Sequence, residues 1–223
     1  MNCISLKEEF DICAIERPPI PSPERTVNTI EVEGRHGSLT ELGAYKDILI
    51  QIRLNLLEDT SIKKKIRRLK GFLLDVKTLK FDDDLEVFYK VKNIIIGDVE
   101  GEIKEYGEFE IRLYCEPFLY LDSYSTPVTN NSKIYNEGTF ESEPIINLKG
   151  TGDITLSINS KNIILKSITD ITIDSQMKNT YNSNQPLNNK MTGDFPIFKT
   201  GENTISWTGN VTKAEIIGNW RYI

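Results

Sequence analysis

The residues of this 223-residue chain whose types could do chemistry are few and scattered. Gly34, Arg35, His36 and Gly37, with Gly43 following, set two glycines around a charged pair, an arrangement that could cradle a phosphate. The segment lacks both the full glycine spacing and the terminal Lys then Ser or Thr of a phosphate-binding loop, so it reads as a tight turn between β segments. His36 is the only histidine, and no nucleophile or acid stands with it to make a general base. Asp82, Asp83 and Asp84 are consecutive, so on an extended chain they point to alternate sides; they lack calcium-loop spacing and read as a polar turn. Gly150, Thr151, Gly152 and Asp153 read as a turn entering a strand. Ser157 and Ser206 have no histidine near them in sequence, which leaves a serine-hydrolase reading without support.

Three cysteines, Cys3, Cys13 and Cys115, are odd in number and far apart, which fits reduced thiols better than a disulfide framework or a zinc site. Cys115 continues an apolar face and reads as a small buried hydrophobe. Trp207 is expected in a core, whereas Trp220, flanked by Asn219 and Arg221, fits either a core or a polar-rimmed contact with a sugar or a partner. No catalytic, cofactor-binding or metal-ligating residue is assigned, no cofactor is expected, and the chain is not read as an enzyme.

The elements that must carry these residues are mostly strands. In Tyr45–Leu56, Ile48, Ile50, Ile52, Leu54 and Leu56 alternate with Asp47, Leu49, Gln51, Arg53 and Asn55, and period two places the first set on one buried face. In the segment 108–117, Phe109, Ile111, Leu113 and Cys115 do the same. The segments 26–33 and 85–96 are further strand candidates. One helix is expected over 61–73, capped by Asp59, Thr60 or Ser61, with Ile62, Ile66, Leu69 and Leu73 on its apolar face. Lys63, Lys64, Lys65, Arg67, Arg68 and Lys70 then form a solvated outer face.

After Phe118 the composition shifts. The segment 123–132 is mostly Ser, Thr, Asn and Pro and reads as a linker or an exposed loop, so a boundary is placed near residue 120, with domains at 1–120 and 121–223. Beyond it, short strands are expected at 143–148, 153–158, 162–168, 170–174, 203–207 and 212–217, with Asn159, Ser160 and Lys161 as a hairpin connection. Many short strands without a convincing helix indicate an all-β sandwich. The Asn-rich segment 179–189 is expected to be a polar loop at an edge or a contact surface.

At 39% hydrophobic and 27% charged residues the chain is not expected to be disordered as a whole. No apolar run approaches the roughly 20 residues of a membrane span, and no signal peptide opens the chain, so neither membrane insertion nor conventional secretion is expected. The net charge of -6 argues against broad nucleic-acid affinity. Residues 119–223 hold nine Lys or Arg against ten Asp or Glu, which leaves a net of -5 for residues 1–118.

An ordered set of residues resembles the distal tail proteins (Dit family) of long, flexible-tailed bacteriophages. In the last third it comprises Ile171 to Asp174, Met191 to Pro196, Gly201 to Trp207, and Asn219, Trp220 and Arg221. Earlier in the chain, Gly34 to Gly37 with Gly43, Tyr45, Lys46 and Asp47 resemble the family's glycine-flanked loop and following strand. Phe109 to Ile111 with Cys115 to Phe118 and Tyr120 resemble the strand that closes its first domain, and Gly150, Gly152, Asp153, Ile154, Thr155 and Ile158 the opening of its second. His36 departs from the pattern, standing where many relatives are acidic.

The resemblance implies a mainly β protein: an N-terminal β-sandwich-like domain with one α-helix, then a C-terminal galectin-like β-sandwich. It implies a structural protein of the virion tail, assembled in the bacterial host cytoplasm as a homo-hexameric ring. That ring would join the major tail tube protein to the tail-tip, tail-associated or receptor-binding proteins and leave a channel for the tape measure protein and DNA. The acidic first half suits a lumen that repels the DNA backbone. The alternative is a monomeric carbohydrate-binding β-sandwich module; a cell-wall hydrolase would need paired carboxylates or a metal site.

Overall fold

In the computed structural model, which describes residues 4–56, 62–98, 107–183 and 185–223, the chain is mainly β with one main helix. It divides into two compact units, one holding Met1–Asp83 and Phe88–Phe118, the other Asp84–Val87 and Leu119–Ile223.

The first unit begins with α1 (Leu6–Phe10), whose Ser5 side chain accepts a hydrogen bond from the Glu8 amide, and β1 (Ile12–Ala14). There follow β2 (Arg25–Ile30), β3 (Leu39–Tyr45), β4 (Ile48–Leu56), α2 (Ile62–Leu74), β5 (Thr78–Phe81), β6 (Asp84–Ile96) and β7 (Gly107–Leu121), of which Asp84–Val87 and the residues from Leu119 belong to the other unit. The main sheet has the order β1-β4-β7-β6-β5. Its centre follows directly from the alternation in the sequence, because β4 and β7 pair in a register that sets Ile48 opposite Cys115, Ile50 opposite Leu113, Ile52 opposite Ile111 and Leu54 opposite Phe109. Cross-strand partners share a face, so all eight are buried together. Each of the Ile, Leu and Phe side chains among them contributes about 1.5–3 kcal/mol relative to remaining exposed.

In α2, Leu69 and Leu73 are buried as their spacing predicts, and Phe72 meets Phe10 at 5.4 Å between ring centroids. The cap expected at Asp59, Thr60 or Ser61 lies outside the described residues. Lys63, Lys64, Arg67, Arg68 and Lys70 are exposed, but Lys65 is not: it is buried, with Nζ 3.1 Å from Asp11 Oδ2. The left-handed Asp11 that ends α1 places its carboxylate there, and the ion pair offsets the lysine's lost hydration. The strand expected from Tyr45 instead begins at Ile48, and the preceding residues form the separate strand β3.

The second unit contains β8 (Thr126–Pro127), β9 (Ser132–Asn136), β10 (Ile145–Ile158), β11 (Lys161–Asp174), β12 (Asn179–Tyr181), a single 3-10 turn at Asn188–Lys190, β13 (Met191–Thr192), β14 (Gly201–Ile217) and β15 (Arg221–Tyr222). Here the six short strands expected from sequence are three long ones, each bent near its middle. The first half of β10 pairs with the second halves of β11 and β14, and its second half with their first halves. Short strands extend each half: β12 and β8 one, β13 and β9 the other. Because Ile146 and Leu148 share one core cluster with Ile154, Leu156 and Ile158, the two halves face each other as a curled β-sandwich.

The corner explains the misreading. Gly150 to Asp153 lie inside β10 as a run of register shifts, not ahead of a new strand. Across from them Gly209 has φ +98, and a Cβ there would lie 2.5 Å from the Asp153 carbonyl oxygen. In β11 Ser167 turns to φ 49, its amide donating to Asp153 Oδ1 at 2.8 Å. Three adjacent strands therefore bend together through glycine, a left-handed residue and one capping carboxylate. The hairpin between β10 and β11 is as expected: Asn159 and Ser160, both at positive φ, make a two-residue turn.

Candidate assembly surface

The strands β2 and β3 form a two-stranded sheet of their own. The base of this hairpin is anchored. Arg25 Nε donates to the Gly43 carbonyl at 2.8 Å, its guanidinium lies 5.3 Å from the Tyr45 ring centroid, and Tyr45 meets Phe118 edge-on at 6.1 Å. Beyond the base every residue of β2 is exposed, where the sequence suggested an ordinary strand.

The register decides what this exposure means. Val27 is opposite Leu42, and Ile30 is opposite Leu39. Residues 27 and 30 differ by an odd number, so the two pairs sit on opposite faces of the ribbon. Each face thus carries one apolar cross-strand pair, with exposures of 50% and 55% on one side and 49% and 41% on the other. A two-stranded ribbon is marginal in water by itself, and here the apolar pair on each face is left about half exposed. At the tip, Gly34 and Gly37 adopt φ +79 and +78 and the Arg35 amide donates to the Val32 carbonyl, so the glycine-flanked motif is a hairpin loop, with His36 exposed in it.

The other residues considered for chemistry are dispersed. Asp82 and Asp83 form the turn between β5 and β6, where Asp83 pairs with Arg17. Ser157 and Ser206 are cross-strand partners in the sandwich. Cys115 is fully buried, and that burial pushes its thiol up to about 12. Lys92, hydrogen-bonded to Asp47 at 2.7 Å, is held above the usual lysine range chiefly by that bond. Among the described residues no group of three or more His, Cys, Asp or Glu is placed to hold a metal ion, and no helix is long and apolar enough to cross a membrane.

In the second unit Trp207, expected in a core, and Trp220 are both half-buried and packed against the core cluster. Trp220 packs on Phe198 at 5.6 Å and lies against Gly218. Arg221 beside it is buried, donating from Nε to the Glu141 carbonyl at 2.7 Å and from Nη1 to Glu143 at 3.2 Å. The Asn-rich segment sits at the sheet edge and is tightly bonded: Asn188 Oδ1 accepts from the amide and hydroxyl of Thr180, and Leu187 is buried beneath it.

This architecture, a sheet with one main helix and a separate hairpin followed by a curled sandwich, has counterparts among solved phage tail and baseplate proteins. In particular, the chain is similar in fold to the SPP1 Dit protein, described as a paradigm of the hub adsorption apparatus in phages infecting Gram-positive bacteria. That match has a TM-score of 0.67 at 14% identity and covers 92% of this chain and 91% of that one. It is also similar to a chain of the phage P2 baseplate in its activated conformation with calcium, with a TM-score of 0.50 at 12% identity, covering 94% and 90%. A phage p2 baseplate structure with strontium matches equally well in fold, at 10% identity. No protein-family model matches the sequence, and no curated protein matches it significantly.

Proposed function

We propose that the chain is a non-enzymatic structural subunit of a phage tail that assembles into a six-fold ring at the distal end of the tail tube. In this reading residues 1–120 make the ring and residues 121–223 form the outward domain. The ring connects the tube to tip or receptor-binding proteins and leaves a lumen for the tape measure protein and DNA. Assembly takes place in the host cytoplasm, before the protein takes its place in the virion tail.

The observation that carries the reading is the anchored hairpin with an uncovered apolar pair on each face. Such a ribbon is stable when it is inserted between surfaces of a neighbour, and a head-to-tail contact of that kind generates a ring when the rotation closes. The likeness to SPP1 Dit supports the same role.

The test is the solution mass by light scattering with negative-stain images of the same peak. Six subunits, or twelve in stacked rings, is the expected result. A monomer at every concentration, alone and with tail-tube protein added, overturns it.

A further inference from the structure

A cleft of about 520 Å3 opens within the second unit, between the segment 121–129 and β9. Three aromatic residues line it. Tyr124 and Tyr135 are 76% and 66% exposed, and the half-buried indole of Trp220, held by Phe198 and Gly218, belongs to the same lining. From these we propose that the cleft is a saccharide-binding site, taking a neutral pyranose unit or a short glycan segment.

The chemistry of the lining selects among ligand classes. A pyranose has a flat C–H face that stacks on an aromatic ring and a rim of hydroxyls that hydrogen-bond, so it matches rings presented beside polar groups. Glu137 is an exposed residue of the lining, and its carboxylate can accept from a pair of hydroxyls. The lysine in the lining, Lys133, already pairs with Glu202 at 2.9 Å, whereas Asp122 and Glu137 bring two carboxylates, so the lining disfavours an anionic ligand. A peptide added as a strand needs a continuous backbone edge. β8 is two residues long and one of them, Pro127, has no amide hydrogen to offer. The volume lies within the range of small-ligand sites.

This site is independent of ring formation, and its test is separate. The full-length protein is titrated with neutral oligosaccharides of glucose, galactose and N-acetylglucosamine by calorimetry, followed by an array of neutral glycans. The expected result is saturable binding to at least one, weakened about tenfold, or about 1.4 kcal/mol, by Tyr124→Ala or Tyr135→Ala. Glu137→Gln is expected to weaken it less, because the amide still accepts one bond. Both tyrosines are exposed, so the thermal midpoint stays near wild type and loss of binding is not loss of fold. Absence of binding across the array at millimolar concentrations overturns the assignment. So does binding that neither tyrosine substitution changes, or capture of a peptide by the cleft with no glycan competing for it.

Discussion

If the hairpin is the ring contact, removing one apolar pair should weaken assembly by an amount that can be worked out beforehand. The perturbation is Val27→Ser with Leu42→Ser, which strips one face of the ribbon and leaves its backbone register intact. Each of these side chains is about half exposed, at 50% and 55%. Full burial of such a side chain is worth about 1.5–3 kcal/mol, so covering the exposed half contributes about 1 kcal/mol. The double substitution therefore removes about 2 kcal/mol from each subunit contact, roughly a 30-fold change in its constant. A ring of six has six contacts but forms in five association steps, so the concentration of half-assembly rises roughly fiftyfold.

The assay is mass against concentration by light scattering, with thermal unfolding of the dissociated protein as a control. Surface substitutions of this kind change folding stability by about 0.5 kcal/mol or less, so the unfolding midpoint should hardly move. Ile30→Ser with Leu39→Ser tests the opposite face by the same arithmetic. If both double variants assemble at the wild-type concentration, the hairpin is not the contact and the reasoning from its two apolar faces is wrong.

Three further outcomes are expected. Gly209→Ala should destabilise the second unit by at least about 2 kcal/mol in urea unfolding, since its φ of +98 disfavours a side chain and the new Cβ would press on the Asp153 carbonyl; wild-type stability would remove the proposed corner. Asn203→Ala should cost about 2–3 kcal/mol by the same measurement. Its fully buried amide holds the Lys199 and Gly201 carbonyls and the Lys199 amide, and the substitution leaves them unpaired. For Cys115 the sign follows from the raised thiol: the folded state keeps its proton to about pH 12 while the unfolded thiol loses it near 9.0. The contribution is complete below pH 9 and is lost as pH rises from about 9 towards 12, at up to about 1.4 kcal/mol per pH unit. Comparing urea midpoints at pH 8 and pH 10, Cys115→Ala should show a shallower loss than wild type; equal slopes would count against it.

What could be read from sequence followed from where the physical constraint lies. The β4–β7 pair was legible because one face is buried along its whole length, so the alternation at Ile48 to Leu56 and Phe109 to Cys115 has no interruption. In the sandwich the same rule divided β10, β11 and β14 in two, because a bent strand exposes its corner residues and spends glycines there, as a turn does. Lys65 was misplaced because its partner, Asp11, is 54 residues away, and helical spacing alone cannot register that. The cleft was hidden for a related reason: Tyr124, Tyr135 and Trp220 come from three separate segments and meet only once the sandwich has formed.

The hairpin is the instructive case. A strand with one covered face shows itself by period two, but one with an apolar pair on each face, as in β2, places Val27 and Ile30 out of phase and looks like a weak strand or a loop. In the proposed reading, the assembly surface leaves its mark in the register and not in the periodicity. The same logic accounts for the motifs that resembled the tail proteins. Gly34 and Gly37 turn the hairpin, Gly150 and Asp153 form the corner, Asn203 closes a loop, and Arg221 ties β15 to Glu141 and Glu143. Each fixes backbone geometry, so these motifs encode a shape, and in the ring proposed above a neighbouring subunit completes that shape at its exposed ribbon.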